Sequence, residues 1–139
     1  MLLLELFTQP VPYIWKNVGN SKYEAYQADF RVDGIKYQAE FVQSRGIGLR
    51  FACGFHAFDE DDEPTIDIIG NGKQFPVFAT VVTIIKEFIA QHQPDLIMFT
   101  ADEPSRRKLY RRLLSTISVP GYTFDDRFAG IFEIIKVPQ

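Results

Sequence analysis

Thr65-Ile66-Asp67-Ile68-Ile69-Gly70-Asn71-Gly72-Lys73-Gln74 runs directly into Phe75-Pro76-Val77-Phe78-Ala79-Thr80-Val81-Val82. The first part reads as a short apolar strand over residues 65–70. In the second, Phe78, Val81, Val82, Ile85, Phe88 and Ile89 recur at i, i+3, i+4 and i+7, the period of a helix over residues 75–91. Val77 and Ile84 widen that stripe, so the helix packs across a sheet with only Thr80, Thr83, Lys86 and Glu87 reaching water. Glycines between a strand and a helix N-terminus let the backbone approach a ligand closely. They also aim unpaired N–H groups and the positive dipole end at an anion. Ile69, Gly70, Asn71, Gly72, Lys73, Gln74 and Phe75 therefore form a candidate phosphate-cradling turn.

Upstream of the turn the pattern is β. Tyr26, Ala28, Phe30 and Val32 alternate with polar residues, and after Asp33-Gly34 the alternation resumes as Ile35, Tyr37, Ala39 and Phe41. Asp-Gly is a favoured type I′ hairpin turn, and pairing through it sets Phe30 opposite Tyr37 and Tyr26 opposite Phe41, with one core face and one wet face. Residues 46–58 read as a third strand, with Leu49, Phe51, Cys53 and Phe55 inward, and residues 65–70 as a fourth. The acidic run Asp59, Glu60, Asp61, Asp62 and Glu63 with Pro64 makes an exposed connection.

Downstream, Leu96-Ile97-Met98-Phe99-Thr100 is an unbroken apolar run that suits a central strand buried on both faces. Asp102-Glu103-Pro104-Ser105 opens a second helix, with carboxylates at its positive end and Pro near the first position. Leu109, Leu113 and Ile117 form its buried stripe, with Tyr110 and Leu114 beside it. Gly121 restarts an extended segment and residues 130–137 form the last strand. The expectation is a single α+β domain over residues 1–139. Its mixed sheet is mostly antiparallel, its two helices lie in the C-terminal half, and its order is β-β-β-β-α-β-α-β. The helix that crosses from the fourth to the fifth strand allows a locally parallel pair.

Composition narrows the functional classes. With 139 residues, 46% apolar, 24% charged and thirteen Phe, the chain is globular and its core aromatic-rich. A net charge of -3 argues against a dedicated nucleic-acid binder. One cysteine, Cys53, allows no internal disulfide, and Met1-Leu2-Leu3-Leu4-Glu5-Leu6-Phe7 lacks the marks of a signal peptide, so a cytoplasmic home is expected. His56 and His92 stand without metal-ligand spacing, so no metal site is expected. Cys53 and His56 point to opposite faces of one strand and cannot act as a nucleophile and base pair. A third glycine and a Gly-Lys-Ser/Thr are both missing from the turn, which disfavours dinucleotide and P-loop readings.

The strand, Gly-x-Gly turn and long helix, in this order of elements, resemble the GNAT superfamily of N-acetyltransferases across roughly residues 23–137. In that family the turn binds the pyrophosphate of acetyl-CoA, with the pattern Gln/Arg-x-x-Gly-x-Gly/Ala; here it reads Asp67-Ile68-Ile69-Gly70-Asn71-Gly72, with Asp67 in the leading place and Lys73 available as a positive charge. Lys108-Leu109-Tyr110-Arg111-Arg112-Leu113-Leu114 ahead of Gly121-Tyr122 looks like the family's Leu-Tyr pair before a Gly-Phe element. The resemblance implies Tyr110 as the acid that protonates the CoA thiolate; a packing tyrosine is the other use. Phe78-Ala79-Thr80-Val81 and Glu103-Pro104-Ser105-Arg106-Arg107-Lys108-Leu109-Tyr110 also resemble small acetyltransferase-like proteins of tailed phages.

An acyl transfer to an amine needs a base, and Glu40, Asp67 and Glu133 lie on strands where any of them can serve. Arg106, Arg107, Lys108, Arg111 and Arg112 place five positive charges in seven residues. They suit the 3′-phosphate of CoA, an acidic partner protein or, less well, nucleic-acid phosphates. Two expectations follow. One is an acetyl-CoA-dependent N-acyltransferase with a small-molecule or protein amine as acceptor. The other is a catalytically degenerate GNAT-like binding protein, phage-borne as the second resemblance implies, that engages a host protein or nucleic acid through its charged surfaces.

Overall fold

In the computed structural model, residues 9–58, 64–65, 74–101, 104–126 and 130–138 are described. Eight strands and two helices follow in the order β1 (Ile14–Asn17), β2 (Ala25–Val32), β3 (Ile35–Gln43), β4 (Arg50–Phe58), β5 (Pro64–Thr65), α1 (Gln74–His92), β6 (Leu96–Thr100), α2 (Pro104–Ser115), β7 (Tyr122–Asp126) and β8 (Ile131–Lys136). Seven strands lie side by side as β1-β2-β3-β4-β6-β8-β7, and β5 pairs with β4 off that path. Every pairing is antiparallel except β4 with β6. The α+β class, the mixed sheet and its two helices are as the periodicities indicate.

The β2–β3 hairpin forms in the expected register, with Tyr26 opposite Phe41 and Phe30 opposite Tyr37. Asp33 and Gly34 both have positive φ, 51° and 81°, as a type I′ turn requires. Register then carries one face across the whole sheet. Ala28, Ala39, Phe55, Phe41 and Cys53, then Phe99 and Phe132, all lie on it and are buried. Both helices cover that face. Phe88 of α1 stacks on Phe41 at 4.0 Å and meets Phe51 edge-on at 4.8 Å, while Tyr110 of α2 sits 6.0 Å from Phe99 and 6.2 Å from Phe132.

Four expectations need correction. The parallel partner of β6 is β4, Arg50–Phe58; of the strand expected at residues 65–70, Thr65 belongs to β5, Pro64–Thr65, which runs antiparallel to β4, and residues 66–70 lie outside the described residues. Strand β1 was not anticipated, because four residues with one turn signal on each side carry little periodicity. Thr80 does not reach water. The N–H of Val11 donates to its Oγ1 at 2.9 Å, and Thr80 is fully buried. Residues 9–17 thus cover the polar flank of α1, where the Glu87 carboxylate accepts from the Trp15 indole N–H at 2.7 Å and from the Tyr13 hydroxyl. Finally β6 is central but buried on the helix face only, with Leu96 and Met98 half-buried and Thr100 exposed.

Those contacts set a pH limit on stability. Burial, then the hydrogen bond and charge of Glu87, push the Tyr13 hydroxyl up to about 12 from 10.0. Burial also raises Tyr37 and Tyr122, with Asp33 and Asp95 adding to each, and raises the Cys53 thiol. Groups held above their unfolded values contribute stability that is present below the unfolded value and lost as pH rises through the folded one. The urea midpoint is therefore expected to hold level through neutral pH and to fall between about 9 and 12. An unchanged midpoint at pH 11.5 contradicts this.

Candidate functional site

The parallel pair is short. β6 matches β4 only at Arg50, Phe51, Ala52 and Cys53, opposite Leu96, Ile97, Met98 and Phe99. The other edge of β4 is held by β3 from Phe51 to Phe58, so β5, which meets β4 at Ala57 and Phe58, lies on the same edge as β6. Among the described residues, Gly54-Phe55-His56 lies between the two pairings, and the pairing of β4 with β6 ends at Phe99, so the described strands form a fork. Asp95 ties the other end: its N–H donates to the Leu49 carbonyl and its Oδ2 accepts from the Leu49 N–H, both at 2.7 Å.

Both helices begin at the open end of this fork. α1 runs back from Gln74 to the start of β6, and its nineteen residues span roughly 28 Å, which matches β4 rather than five-residue β6. α2 starts four residues after Thr100. Neither helix carries an acidic residue in its first turn. The carboxyl end of a parallel pair, faced by helix N-termini, is where an open α/β sheet receives anionic ligands.

On the helix face, Tyr110 is 2% exposed and lies over Phe99, the last β6 residue paired with β4. Its ring is part of the core, packed between Phe99 and Phe132. Between the helices lies a groove of about 360 Å³, walled by Phe78, Ala79, Val82 and Thr83 of α1 and by Arg112, Leu113 and Thr116 on the α2 side. Among the described residues Arg112 is the cation that lines this groove. Lys108 is exposed beside it, Arg111 is drawn to Asp126 at 2.6 Å, and Arg107 donates from Nε to the Ala101 carbonyl at 3.1 Å. The basic helix therefore splits, with Arg111 tied to β7 and Arg112 turned to the groove. The side chain of Arg106 lies outside the described residues.

The opposite face of the sheet carries no described helix. Gln27, Asp29, Gln38 and Glu40 form a half-buried polar ladder there, in which Gln27 donates to Glu40 at 2.8 Å and Gln38 to Asp29 at 3.0 Å. Of the base candidates, Glu40 sits opposite Gly54 at the fork. Glu133 is 8% exposed on β8, opposite Met98 and Asp125, with β6 between it and β4. Asp67 lies outside the described residues. His56, set aside on sequence grounds, is on this face too. Its Nε2 would lie 3.1 Å from a Cβ on Gly54, so the imidazole leans over the glycine toward the point where β6 departs.

Ile69, Gly70, Asn71, Gly72 and Lys73 of the candidate turn lie outside the described residues. Gln74 and Phe75 are the first two residues of α1. Cys53 faces the helices, opposite in direction to His56, and its thiol is raised by burial first and by Glu40 second. Among the described residues no group of three His, Cys, Asp or Glu can hold a metal ion, and no helix is long and apolar enough to cross a membrane.

The class these features define is an α+β protein with a mostly antiparallel mixed sheet, two helices on one face and a forked parallel pair. The chain belongs to DUF6934, a family of unknown function, whose model matches residues 34–120 and so spans both arms of the fork and both helices. No curated protein and no solved structure matches the chain.

Proposed function

We propose that the chain is a GNAT-type, acetyl-CoA-dependent N-acyltransferase. The fork carries this reading: a four-residue parallel pair opens at Cys53 and Phe99 toward the N-termini of α1 and α2. An extended, amide-bearing arm suits the edge of β4 beyond Cys53, where a strand-like ligand can take up backbone hydrogen bonds. The pyrophosphate goes to the turn before α1, held by the backbone of Gly70, Asn71 and Gly72 with Lys73, Gln74 and Phe75. The groove between the helices takes the remainder, with Arg112 and Lys108 on its phosphate. Tyr110, beside Phe99, is the acid that protonates the departing thiolate.

The exposure of Lys108 and Arg112 also fits a second reading, a GNAT-like protein without catalysis that uses this cationic helix to bind an acidic partner. Titration with acetyl-CoA separates the two. Ala79 is half-buried in the groove, and Ala79→Trp fills it. Wild type is expected to bind acetyl-CoA and the variant to bind at least about tenfold more weakly, a loss of roughly 1.4 kcal/mol. Equal affinity removes the groove from the site; no binding by wild type leaves the second reading.

A further inference from the structure

We infer that the end of the sheet away from the fork is a docking site for an acidic polypeptide segment that carries an apolar side chain. The inference makes no use of the acyltransferase reading. Two loops build the site: residues 18–24, between β1 and β2, and residues 44–49, between β3 and β4. Both loops are described in full. The described residues beside the undescribed internal stretches, Phe58, Gln74, Ala101 and Asp126 among them, stand at the fork end instead.

Exposed apolar side chains gather on these loops. Among the described residues five large hydrophobic side chains are exposed, and Val18, Tyr23 and Ile47 stand here, with Ile47 92% exposed. Single exposed apolar residues are ordinary on a protein surface, whereas three on neighbouring loops form a patch, and a patch beside a recess marks an interaction site. The recess lies between the loops. It holds about 550 Å³ and is lined by Lys22 and Tyr23 on one side and by residues 42–46 on the other.

The charge around the recess is mainly positive. Lys22, Arg45 and Arg50 are all exposed, and among the described residues none of them has an ion-pair partner. Arg50 lies over Gly46, its Cδ 3.6 Å from where a Cβ would stand, which brings it to the recess that Gly46 lines. The carboxylates nearby are already engaged: Glu24 accepts from the Tyr26 hydroxyl at 2.9 Å, and Asp95 from the Leu49 N–H at 2.7 Å. In a chain of net charge -3 this end is a local positive pole, which attracts and orients an acidic partner.

The site is also preformed. The Ser44 N–H donates to the Arg50 carbonyl at 2.8 Å and the Gln43 N–H to the Glu24 carbonyl at 2.9 Å, while the Glu24 N–H donates to Gln43 Oε1 at 2.9 Å. The loops are thus tied to one another, and binding pays little to order them.

Shape and composition select the occupant. A bilayer resting on Ile47 leaves the recess empty, and insertion draws on several apolar side chains rather than one tip. A nucleic-acid strand stacks on a series of aromatic faces, and Tyr23 is the one exposed aromatic of these loops. A peptide can lay carboxylates on Lys22, Arg45 and Arg50 while it sets one apolar side chain against Tyr23 and Val42 in the recess.

The test is fluorescence anisotropy with a labelled peptide of Glu and Gly around a central Leu-Glu-Phe. A second peptide has Gln for every Glu, and a third has Ala for Leu and Phe. Wild type is expected to bind the first with a dissociation constant below about 100 μM, and the other two at least about tenfold more weakly. Raising salt from about 50 to about 300 mM should weaken the first by a similar factor. Ile47→Asp and Arg45→Glu should each lose about tenfold in affinity. Their melting temperatures should match wild type, because both side chains are exposed. Lys108→Glu, on the cationic helix α2, should bind the peptide as wild type does.

The absence of saturable binding by wild type up to about 1 mM peptide overturns the inference, as does equal affinity for the Gln peptide. A loss of affinity in Lys108→Glu rather than Arg45→Glu overturns it too, since the peptide then sits on α2. Binding to vesicles of about 30 mol% phosphatidylserine, or to an oligo-dT strand, that Ile47→Asp abolishes and the acidic peptide fails to displace, gives the site to lipid or nucleic acid instead. Self-association of wild type that Arg45→Glu abolishes gives it to a second copy of the chain. None of these readouts involves acetyl-CoA, so the failure of this inference and the failure of the acyltransferase reading are told apart.

Discussion

Phe88→Ala is expected to lower the unfolding free energy by about 3–5 kcal/mol. Phe88 is fully buried and its ring is the hub at which α1 meets the sheet. It stacks on Phe41 at 4.0 Å, meets Phe51 at 4.8 Å, and has Tyr26, Trp15 and His92 within 6.2 Å. Those neighbours come from β1, β2, β3, β4 and the last turn of α1 itself. Strands locked in register cannot collapse to fill the space, so both the transfer energy and the cavity term are lost. Against a typical domain stability of about 5–15 kcal/mol, this loss corresponds to a fall in melting temperature of roughly 10–20 °C. Ile14, 68% exposed on edge strand β1, is the control, since Ile14→Ser there should stay within about 0.5 kcal/mol. A Phe88→Ala variant that melts within 3 °C of wild type would place α1 elsewhere.

Acetyl-CoA at about 100 times its dissociation constant should stabilise wild type by about 2.7 kcal/mol, which raises the melting temperature by roughly 8–12 °C. Gly72→Glu should abolish that shift. The reasoning is electrostatic and steric together. A glycine before a helix N-terminus lets a pyrophosphate sit against bare N–H groups, and a glutamate there places a side chain and a negative charge in the same volume. Asp67 stands where the GNAT pattern has Gln or Arg, so on the proposed reading a further negative charge leaves Lys73 insufficient to hold the phosphates. Retention of the full shift in the variant would remove the turn from the binding site while leaving the groove and fork as candidates.

The parts of the fold that sequence revealed are those whose signal is local. Asp33-Gly34 fixes its own turn, and a turn fixes the register of the two strands that it joins, so Phe30 opposite Tyr37 was readable. The helix at Gln74–His92 declares itself through the spacing of Phe78, Val81, Val82 and Ile85. The fork is a different kind of fact. Nothing within Arg50–Phe58 or Leu96–Thr100 states that the two strands pair for four residues and then part, because that depends on where α1 returns the chain.

Thr80 and Glu87 were misread for a related reason. Polar residues on the outer flank of a helix look the same whether water or another segment satisfies them, and here Val11, Tyr13 and Trp15 do so. His56 was set aside because a lone histidine has no ligand or nucleophile spacing along the chain. That its ring lies over Gly54, two residues earlier on the same face, is visible only in the folded strand.

The most direct test of the central claim, that the fork between β4 and β6 is a cofactor cleft, is the amide NMR spectrum of the labelled protein titrated with acetyl-CoA. The account predicts saturable shifts at Cys53, Gly54 and Phe55, at Phe99 and Thr100, at the first residues of α1, and along Phe78–Thr83 and Arg112–Thr116 of the groove. A spectrum unchanged at saturating acetyl-CoA, or shifts confined to the far end of the sheet around Lys22, Tyr23 and Arg45, would contradict it.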